Sequence, residues 1–385
     1  MATDSYSTPT EEAVRAALAT VNDPEIHRPI TDLGMVKSID IAPDGAVAVG
    51  VYLTVSGCPL RETITANVTE AVERVEGVTG VSVELDVMSD EQRRQLRDSL
   101  RGGQAEREVP FAQPGSLTRV YCVASGKGGV GKSSVTVNVA AAMAADGLKV
   151  GVVDADIYGH SVPRMLGTGD ARPTQVEDMI MPPSASGVKV ISIGMFTPGN
   201  APVVWRGPML HRALQQFLAD VYWGDLDVLL LDLPPGTGDI AISVAQLVPN
   251  AEILVVTTPQ QAAAEVAERA GSIAVQTHQK IVGVVENMSG MPCPHCDEMV
   301  DVFGTGGGER VAEGLTKTTG AQVPVLGAVP IDVRLRESGD DGKPVVLTDP
   351  DSPAGAALRS VAGKLGGRQR GLSGMSLGLT PSNKF

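Results

Sequence analysis

One segment of this chain, SGKGGVGKSS from Ser125 to Ser134, constrains the fold more strongly than any other. Within it, the residues from Gly126 to Ser133 match the phosphate-loop pattern G-x-x-x-x-G-K-[ST]. Such a loop needs a buried strand before it and a helix after it, so that backbone N–H groups and the helix N-terminus surround the phosphates. An apolar run, RVYCVAS, precedes the loop, and a helical stretch, VTVNVAAAMAADG, follows it. The segment therefore predicts a nucleotide-binding domain.

Further apolar runs extend the same pattern along the chain. KVGVVDAD, VLLLDLPPG, EILVVTTP and IVGVVENM are apolar almost throughout and are interspersed with helical stretches. Strands of this kind are buried on both faces, which indicates a parallel sheet covered by helices on both sides. The predicted fold class is α/β, with a parallel-sheet P-loop NTPase domain over residues 118–365.

Residues 1–95 predict a separate, small α+β domain. Two strand-like runs, MVKSIDIA and AVAVGVYLTV, are joined by the turn residues Pro43, Asp44 and Gly45. An amphipathic helix and a closing strand, VTGVSVELDV, follow them. Residues 96–117 carry charges, glycine and proline without an apolar period and predict a linker. Residues 366–385 are rich in glycine and serine and predict a disordered tail.

The composition disfavours several classes of function. A formal net charge of −14 at pH 7 argues against non-specific binding to nucleic acid or to an anionic membrane, since both need a positive surface. The acidic N-terminus lacks the features of a secretion signal, and the longest apolar runs fall short of the roughly 18 residues of a membrane span. Four cysteines in 385 residues make no disulfide framework. We therefore expect a cytoplasmic protein that binds neither nucleic acid nor membrane.

The loop itself supplies most of the expected nucleotide ligands. Its glycines let backbone N–H groups turn toward the phosphates, Lys132 is expected at the β- and γ-phosphates, and the Ser133 hydroxyl is expected at Mg²⁺. The expected cofactors are accordingly ATP and Mg²⁺. The predicted nucleotide-binding residues of the loop are Gly126, Lys127, Gly128, Gly129, Val130, Gly131, Lys132, Ser133 and Ser134.

Three aspartates at the ends of predicted strands complete this site. Asp154 and Asp156 end the run KVGVVDAD, where one of them would support Mg²⁺ and the other would orient a water. Asp232 ends VLLLD and is the expected carboxylate on the Mg²⁺ side. Residues 236–238, Gly-Thr-Gly, would approach the γ-phosphate. The simpler alternative is that these aspartates only cap helices.

Lys127 is a second lysine in the loop, although Lys132 already serves the nucleotide. A cation at the start of the loop can instead reach across a two-fold interface to the nucleotide of a partner chain, as an arginine finger supplied in trans does. The alternative is an exposed lysine, and the spacing of the loop does not decide between the two.

Cys293 and Cys296 form the one C-x-x-C pair of the sequence. Thiolates at this spacing can ligate one metal centre, and two copies of the chain would supply the four cysteines that a [4Fe–4S] cluster usually needs. A Cys₄ zinc site, a redox pair and a structurally idle pair are the alternatives at this point. Cys122, with apolar neighbours, is expected to be buried packing. Cys58 is either a thiol of lowered pKa at a helix N-terminus or a partly buried small residue.

Several motifs together resemble one family: SGKGGVGKSS, DADIYGHS, LLLDLPPGTGD, VENMSG with CPHC, DVFGTGGGER and VPIDVRLRES. KGGVGKS resembles the deviant Walker A loop of dimeric ATPases of the ParA, MinD and nitrogenase-iron-protein class. From about Leu117 to Leu365 the chain resembles the Mrp/ApbC iron–sulfur carrier proteins. The N-terminal domain is similar to the small domain that is often fused to them and that occurs in iron–sulfur assembly factors.

The resemblance implies a role for individual residues of the nucleotide site. It implies that Lys127 acts across a homodimer and that Asp156 orients the attacking water. It places Asp232 beside Mg²⁺, and Asn287 matches the residue that contacts adenine.

The resemblance also implies an ATP-hydrolysing iron–sulfur carrier. Cys293 and Cys296 would hold a [4Fe–4S] cluster between the two chains of a homodimer and pass it to apo iron–sulfur client proteins, with assembly factors as further partners. Two other functions stay open. A MinD/ParA-like positioning ATPase needs a basic membrane-binding helix or a basic DNA face. An ATP-coupled iron–sulfur reductase component needs a cluster that stays bound through redox cycles.

Overall fold

The structure is a computed structural model in which two domains pack against each other. The described residues are 8–26, 28–54, 60–100, 109–113, 115–156, 159–177, 179–196, 207–236, 239–260, 272–293, 295–296 and 298–366. Cys58, Thr237, Gly238 and the predicted tail beyond Gly366 lie outside them. Within the described part of the chain, no helix is long and apolar enough to cross a membrane.

The N-terminal domain is a three-stranded sheet with helices packed against it. Its elements are α1 (Glu11–Leu18), β1 (Val36–Ile41), β2 (Ala46–Leu53), α2 (Arg61–Glu73), β3 (Gly80–Val87) and α3 (Asp90–Leu100). The central strand, β2, pairs antiparallel with β1 and parallel with β3. Val47, Val49 and Val51 of β2 point into the core of this domain, as the period of two predicts.

The larger domain is built on an eight-stranded sheet. Two strand pairs of this domain, β6–β7 and β13–β14, lie outside that sheet. The described strands of the domain are β4 (Arg119–Ala124), β5 (Val150–Asp154), β6 (Thr174–Val176), β7 (Met179–Met181), β8 (Ser184–Ala185), β9 (Val188–Ser192), β10 (Val228–Asp232), β11 (Glu252–Thr257), β12 (Ile281–Asn287), β13 (Met291–Pro292), β14 (Met299–Val300) and β15 (Val325–Val329). Its named helices are α4 (Lys132–Ala145), α5 (Val162–Met165), α6 (Gly207–Ala219), α7 (Asp239–Leu247), α8 (Gly307–Thr319), α9 (Val333–Asp340), α10 (Val345–Thr348) and α11 (Pro353–Gly366).

The topology of this sheet brings the predicted site together. The strand order is β15-β12-β11-β4-β10-β5-β9-β8, and all pairs are parallel except the edge pair β8–β9. Every residue of β5 and of β10 is buried, which is the pattern of strands covered on both faces. Asp154 and Asp232, the last residues of these two strands, are direct neighbours in the register. The α/β class predicted from the apolar runs is confirmed.

A hairpin of the larger domain, β6 with β7, connects the two domains. Val176, Met179 and Met181 of this hairpin are buried in the apolar core of the N-terminal domain. Thr174 Oγ1 at the start of the hairpin donates a hydrogen bond of 2.8 Å to Glu25 Oε2. Burial raises the pKa of the Glu25 carboxyl, although the bond from Thr174 acts in the opposite direction. The larger domain therefore contributes three side chains to the apolar core of the N-terminal domain.

The structure differs from the predicted linker over residues 96–117. α3 continues to Leu100, and Leu96 within it is buried in the core of the N-terminal domain. At the other end of the segment, Val109 and Phe111 are buried in the core of the larger domain. These anchors are single apolar residues in a charged sequence, so they produce no periodic signal.

Candidate functional site

The phosphate loop lies between β4 and α4, where the sequence motif predicts it. Gly129 and Gly131 both have a φ of +78°, in the left-handed region that favours glycine. A Cβ on Gly131 would lie 2.2 Å from Asn287 Nδ2, whereas no atom lies within 4 Å of a Cβ built on Gly129. Gly128 and Gly129 are exposed. The loop therefore presents backbone to a ligand on one side and packs tightly on the other.

Asp232 connects the first turn of α4 to the end of β10. Lys132 Nζ lies 2.7 Å from Asp232 Oδ1, and both side chains are buried. Ser133 Oγ donates a hydrogen bond of 2.6 Å to Asp232 Oδ2, and Thr136 Oγ1 donates one of 2.8 Å to Oδ1. The structure thus brings together the predicted phosphate lysine, the predicted Mg²⁺ hydroxyl and the predicted Mg²⁺-side carboxylate.

Asp154 is a buried carboxyl whose oxygens are already engaged. Its Oδ2 accepts hydrogen bonds from Ser192 Oγ at 3.2 Å and from Val162 N at 3.3 Å, and its Oδ1 accepts one from Asp156 N at 3.2 Å. Burial and, after it, the neighbouring charge of Asp232 raise the pKa of Asp154 to about 8. Asp154 therefore holds the loop that follows β5 in place.

Asp156 lies beyond the end of β5 and differs from Asp154 in its surroundings. Its side chain is half-exposed, and its Oδ1 accepts a hydrogen bond of 3.0 Å from Gly159 N. An accessible carboxylate that is held by one backbone N–H can accept a proton from, or orient, a water molecule. The structure thus distinguishes two aspartates that the sequence leaves equivalent.

Lys127 contacts a residue far away in the sequence. Its Nζ donates a hydrogen bond of 2.5 Å to Oε1 of Gln260, which lies shortly after β11. The carbonyl of the preceding residue, Pro259, accepts a hydrogen bond of 2.8 Å from Arg310 Nη2 on α8. Lys127 therefore contacts the chain just after β11, whereas Lys132 pairs with Asp232.

Asn287, the predicted adenine contact, is buried at the end of β12. Its Nδ2 donates a hydrogen bond of 2.8 Å to the carbonyl of Val130, and this bond holds the phosphate loop against the end of β12. A cavity of about 780 Å³ opens beside it and also borders Gly131 and Ser134. This volume lies in the range of small-molecule sites.

Cys293 and Cys296 lie at the tip of a hairpin formed by β13 and β14. Met291 pairs with Val300 in this hairpin, and Cys293 N donates a hydrogen bond of 2.9 Å to the Glu298 carbonyl. Cys293 is half-buried and Cys296 is exposed, and both thiols are free. Hydrogen bonds from backbone N–H groups, first that of His295 and then that of Cys296, lower the pKa of Cys293. A lowered pKa favours the thiolate, which is the form that ligates metals.

Cys122 and the glycine-rich stretch 304–308 both have structural roles. Cys122 is buried, and burial raises the pKa of its thiol to about 12, so the prediction of inert packing is confirmed. The glycine-rich stretch 304–308 leads into α8, whose N-terminal Gly308 N–H donates to Glu286 Oε2 at 2.5 Å. Because an internal carboxylate already occupies this helix N-terminus, the stretch anchors β12 to α8.

The sequence motifs do not identify three side chains that form hydrogen bonds in or near the site: Thr136, Gln260 and Glu286. Thr136 lies four residues after Lys132, so the helical period places the two on one face of α4, and this signal could have identified it. Gln260 and Glu286 meet their partners only through the folded sheet.

The residues present fit a magnesium nucleotide. Lys132 Nζ is buried in an ion pair with Asp232 and makes no aligned hydrogen bond to any described residue, so its N–H donors can turn to phosphate oxygens. Ser133 and Asp232 offer the hard oxygen ligands that Mg²⁺ prefers.

The two thiols of the hairpin fit half of a four-thiolate site. Among the residues that the structure describes, no group of three or more His, Cys, Asp or Glu side chains could hold a metal within one chain. A cluster with four cysteine ligands would therefore need two copies of the hairpin.

Two family models match the chain. The model described as NUBPL iron-transfer P-loop NTPase matches residues 116–366, and the model described as iron-sulfur cluster assembly protein matches residues 11–85. The first of these alone covers more than half of the chain and includes the phosphate loop and the cysteine hairpin.

Curated relatives match over nearly the whole length. A protein of Mycobacterium tuberculosis named iron-sulfur cluster carrier protein is 68% identical over 372 residues, which cover 97% of each chain. A protein of the same name from Deinococcus radiodurans is 44% identical over 358 residues, covering 93% of this chain and 95% of its own. The solved structure of a nucleotide-binding protein from Archaeoglobus fulgidus in complex with ADP is 32% identical, with a TM-score of 0.51. That match covers 66% of this chain and 92% of the other.

Proposed function

This chain belongs to the family of iron–sulfur cluster carrier proteins with a P-loop ATPase domain, and we propose that it binds an iron–sulfur cluster as cargo and delivers it to apo-proteins. The observation that carries the proposal is the position of the only described pair of neighbouring free thiols. Cys293 and Cys296 lie on the β13–β14 hairpin, which comes shortly after the strand that ends in Asn287, so a short stretch of chain connects the cargo site to the nucleotide site.

The ATPase half of the proposal assigns one role to each residue around the loop. Lys132 binds the β- and γ-phosphates, while Ser133 and Asp232 hold Mg²⁺. Asp156 orients the water that attacks the γ-phosphate, which its half-exposed carboxylate supports. Mg²⁺ neutralises charge that develops on the phosphates during hydrolysis.

The cargo half of the proposal needs a homodimer. Each chain supplies Cys293 and Cys296, and two chains supply the four thiolates of a [4Fe–4S] cluster. In the same dimer, Lys127 reaches the nucleotide of the partner chain and stabilises negative charge there. A cluster held by two chains is released when the chains separate, so a change of the dimer on hydrolysis gives a route for delivery to client proteins.

The compartment follows from the chemistry of the thiols. Cys122, Cys293 and Cys296 are free, and a cargo site made of free thiols requires reducing surroundings. We place the protein in the cytoplasm, where assembly factors and apo iron–sulfur proteins are its partners.

The test of this function is anaerobic reconstitution of the full chain with iron and sulfide. We expect about two irons per chain and the Mössbauer spectrum of a [4Fe–4S] cluster, together with a dimer in sedimentation analysis. The Cys293→Ser/Cys296→Ser variant should bind no cluster, and the matched control, Cys122→Ala, should bind it normally because Cys122 is buried within β4 and is not part of the hairpin. Tight zinc binding without stable iron would instead make the hairpin a zinc site and contradict the proposal.

A further inference from the structure

The cavity beside Asn287 has one wall that belongs to the cysteine hairpin. Gly131 and Ser134 border it on the side of the phosphate loop. Met291, Val302 and Phe303, which belong to the hairpin or follow it, also line the cavity. Met291 belongs to β13, and the other two residues come directly after β14, so the wall is formed by the first strand of the hairpin and by the chain that leaves its second strand.

We propose that Met291 and Phe303 contact the bound nucleotide, so that the hairpin belongs to the nucleotide site as well as to the cysteine site. The proposal rests on the proposed function, because it takes the nucleoside part of ATP or ADP as the occupant of the cavity. Phosphates bound at the loop fix the position of the attached ribose, and Gly131 and Ser134 of the loop and its helix line the cavity. The nucleoside therefore extends from the loop toward the hairpin.

The chemistry of this wall suits a purine. Phe303 offers an aromatic ring, and Met291 offers a polarisable thioether, and both groups pack favourably against the face of a flat aromatic base. Both side chains are only half-buried, so each has surface left for a ligand to cover. A volume of about 780 Å³ accommodates a nucleoside together with ordered water.

The base of the hairpin is attached to another wall of the same cavity. Ile331 N donates a hydrogen bond of 2.7 Å to the Gly290 carbonyl, and Ser289 N donates one of 2.9 Å to the Val329 carbonyl. Met288, at the start of this connection, has a φ of +60°, a left-handed conformation that is costly for a residue with a side chain. Because the base is held in this way, contacts that a ligand makes with Met291 and Phe303 affect the position of the remaining part of the hairpin, which carries the two cysteines.

The consequence is a coupling between nucleotide and thiols within one chain. Met291 is two residues from Cys293, so a nucleoside packed against Met291 favours one position of the hairpin. A ligand shifts an equilibrium only by its different affinity for the two states, and this contact supplies such a difference. Nucleotide binding should therefore slow the reaction of Cys293 and Cys296 with an external reagent, even without a partner chain.

The first measurement is the affinity of the reduced, metal-free full chain for ADP by calorimetry. We expect Met291→Ala and Phe303→Ala each to weaken ADP binding by about 3- to 10-fold, because each removes one face of the base contact. The matched control is Met299→Ala. Met299 belongs to the same hairpin but is exposed and lies outside the wall of the cavity, so ADP affinity should stay unchanged.

The second measurement is the rate at which iodoacetamide alkylates Cys293 and Cys296, followed by mass spectrometry. It is made at a protein concentration at which sedimentation shows a monomer, so that a partner chain cannot shield the thiols. Saturating ADP should slow alkylation of the wild type by about 5-fold or more. In Met291→Ala and Phe303→Ala, the protection should be lost at ADP concentrations that saturate these variants.

The outcomes separate this inference from the function on which it rests. If ADP binds to the wild type but leaves the alkylation rates unchanged, or if both hairpin variants bind ADP normally, the proposed contact is wrong while the ATPase assignment stands. If ADP does not bind to the wild type at all, the proposed function itself fails.

Discussion

Lys127 Nζ donates a hydrogen bond of 2.5 Å to Oε1 of Gln260, a residue of the same chain that lies 133 positions further along the sequence. The proposed role of Lys127 is to reach the nucleotide of a partner chain, and in the contact with Gln260 its ammonium group is held within its own chain. Gln260 is itself positioned, because the carbonyl of Pro259 accepts a hydrogen bond from Arg310. The two positions of the lysine therefore compete.

Substitution of Gln260 should change the rate of ATP hydrolysis through this competition. A carboxylate in Gln260→Glu turns the neutral hydrogen bond into a charge-assisted one, which is roughly twice as strong, and holds Lys127 within its own chain. We expect hydrolysis to slow by about 3- to 10-fold in steady-state assays, while Gln260→Ala hydrolyses ATP at least as fast as the wild type. Nucleotide affinity, measured by calorimetry, should be unchanged in both.

Lys127→Ala is the control for the Gln260 variants. It should bind ADP normally and lose hydrolysis, because the residue acts only on the nucleotide of the partner chain. If Gln260→Glu hydrolyses ATP at the normal rate while Lys127→Ala is inactive, the contact with Gln260 does not prevent Lys127 from reaching the partner's nucleotide.

The two aspartates of the DAD motif should respond differently to the same isosteric change. Asp154 is buried and its pKa is raised to about 8, so Asn matches the neutral charge of the protonated carboxyl in the nucleotide-free chain and keeps one of its two acceptor oxygens. Asp154→Asn should bind ATP within about 3-fold of the wild type and keep measurable hydrolysis. Asp156→Asn should bind ATP but lose hydrolysis by at least about 100-fold.

Single-turnover hydrolysis and calorimetry on the two variants distinguish these roles. Equal loss of hydrolysis in Asp154→Asn and Asp156→Asn would mean that the buried residue takes part in the reaction directly. Loss of ATP binding in Asp156→Asn would place that carboxylate at the metal rather than at the water.

Local patterns in the sequence are sufficient to predict that the residues of the candidate nucleotide site lie together. The loop motif fixes Lys132 and Ser133, and an apolar run that ends in aspartate fixes Asp232, because the carboxyl ends of parallel strands meet at one edge. The structure confirms this meeting in the hydrogen bond between Ser133 and Asp232. The same reasoning cannot separate Asp154 from Asp156, since their difference lies in burial by other elements.

Contacts between distant segments could not be predicted in this way. Gln260 meets Lys127 only because β11 and β4 are neighbours in the sheet. The strands β6 and β7 have three residues each, too few to show a period, so nothing in the sequence indicates that Met179 and Met181 complete the core of another domain. Likewise, the hairpin residue Met291 reaches the cavity through the fold rather than through a motif.

The β6–β7 hairpin should stabilise both domains. Met181 is almost fully buried in the core of the N-terminal domain, so Met181→Ala removes apolar contacts and leaves a cavity. We expect the free energy of unfolding to fall by about 2–4 kcal/mol in urea titrations. Met209→Ala, at a half-exposed position of α6, is the matched control and should change stability by less than about 0.5 kcal/mol. An equal effect of both substitutions would show that the hairpin does not hold the domains together.

Glu25 should make the stability of this domain contact depend on pH. Its pKa in the folded chain is raised by burial and, more weakly, by the charge of Asp23. Below the ordinary pKa of 4.5 the carboxyl is protonated in both the folded and the unfolded chain, so the free energy of unfolding is not reduced. As the pH rises above that value, the unfolded chain releases the proton more readily, so stability falls until the folded pKa is passed and then stays lower.

Glu25→Gln keeps an acceptor for Thr174 Oγ1 but cannot ionise, so in urea titrations it should be more stable than the wild type at pH 7 and equal to it at pH 4. A variant that is less stable than the wild type at pH 7 would show instead that the ionised carboxylate strengthens the contact.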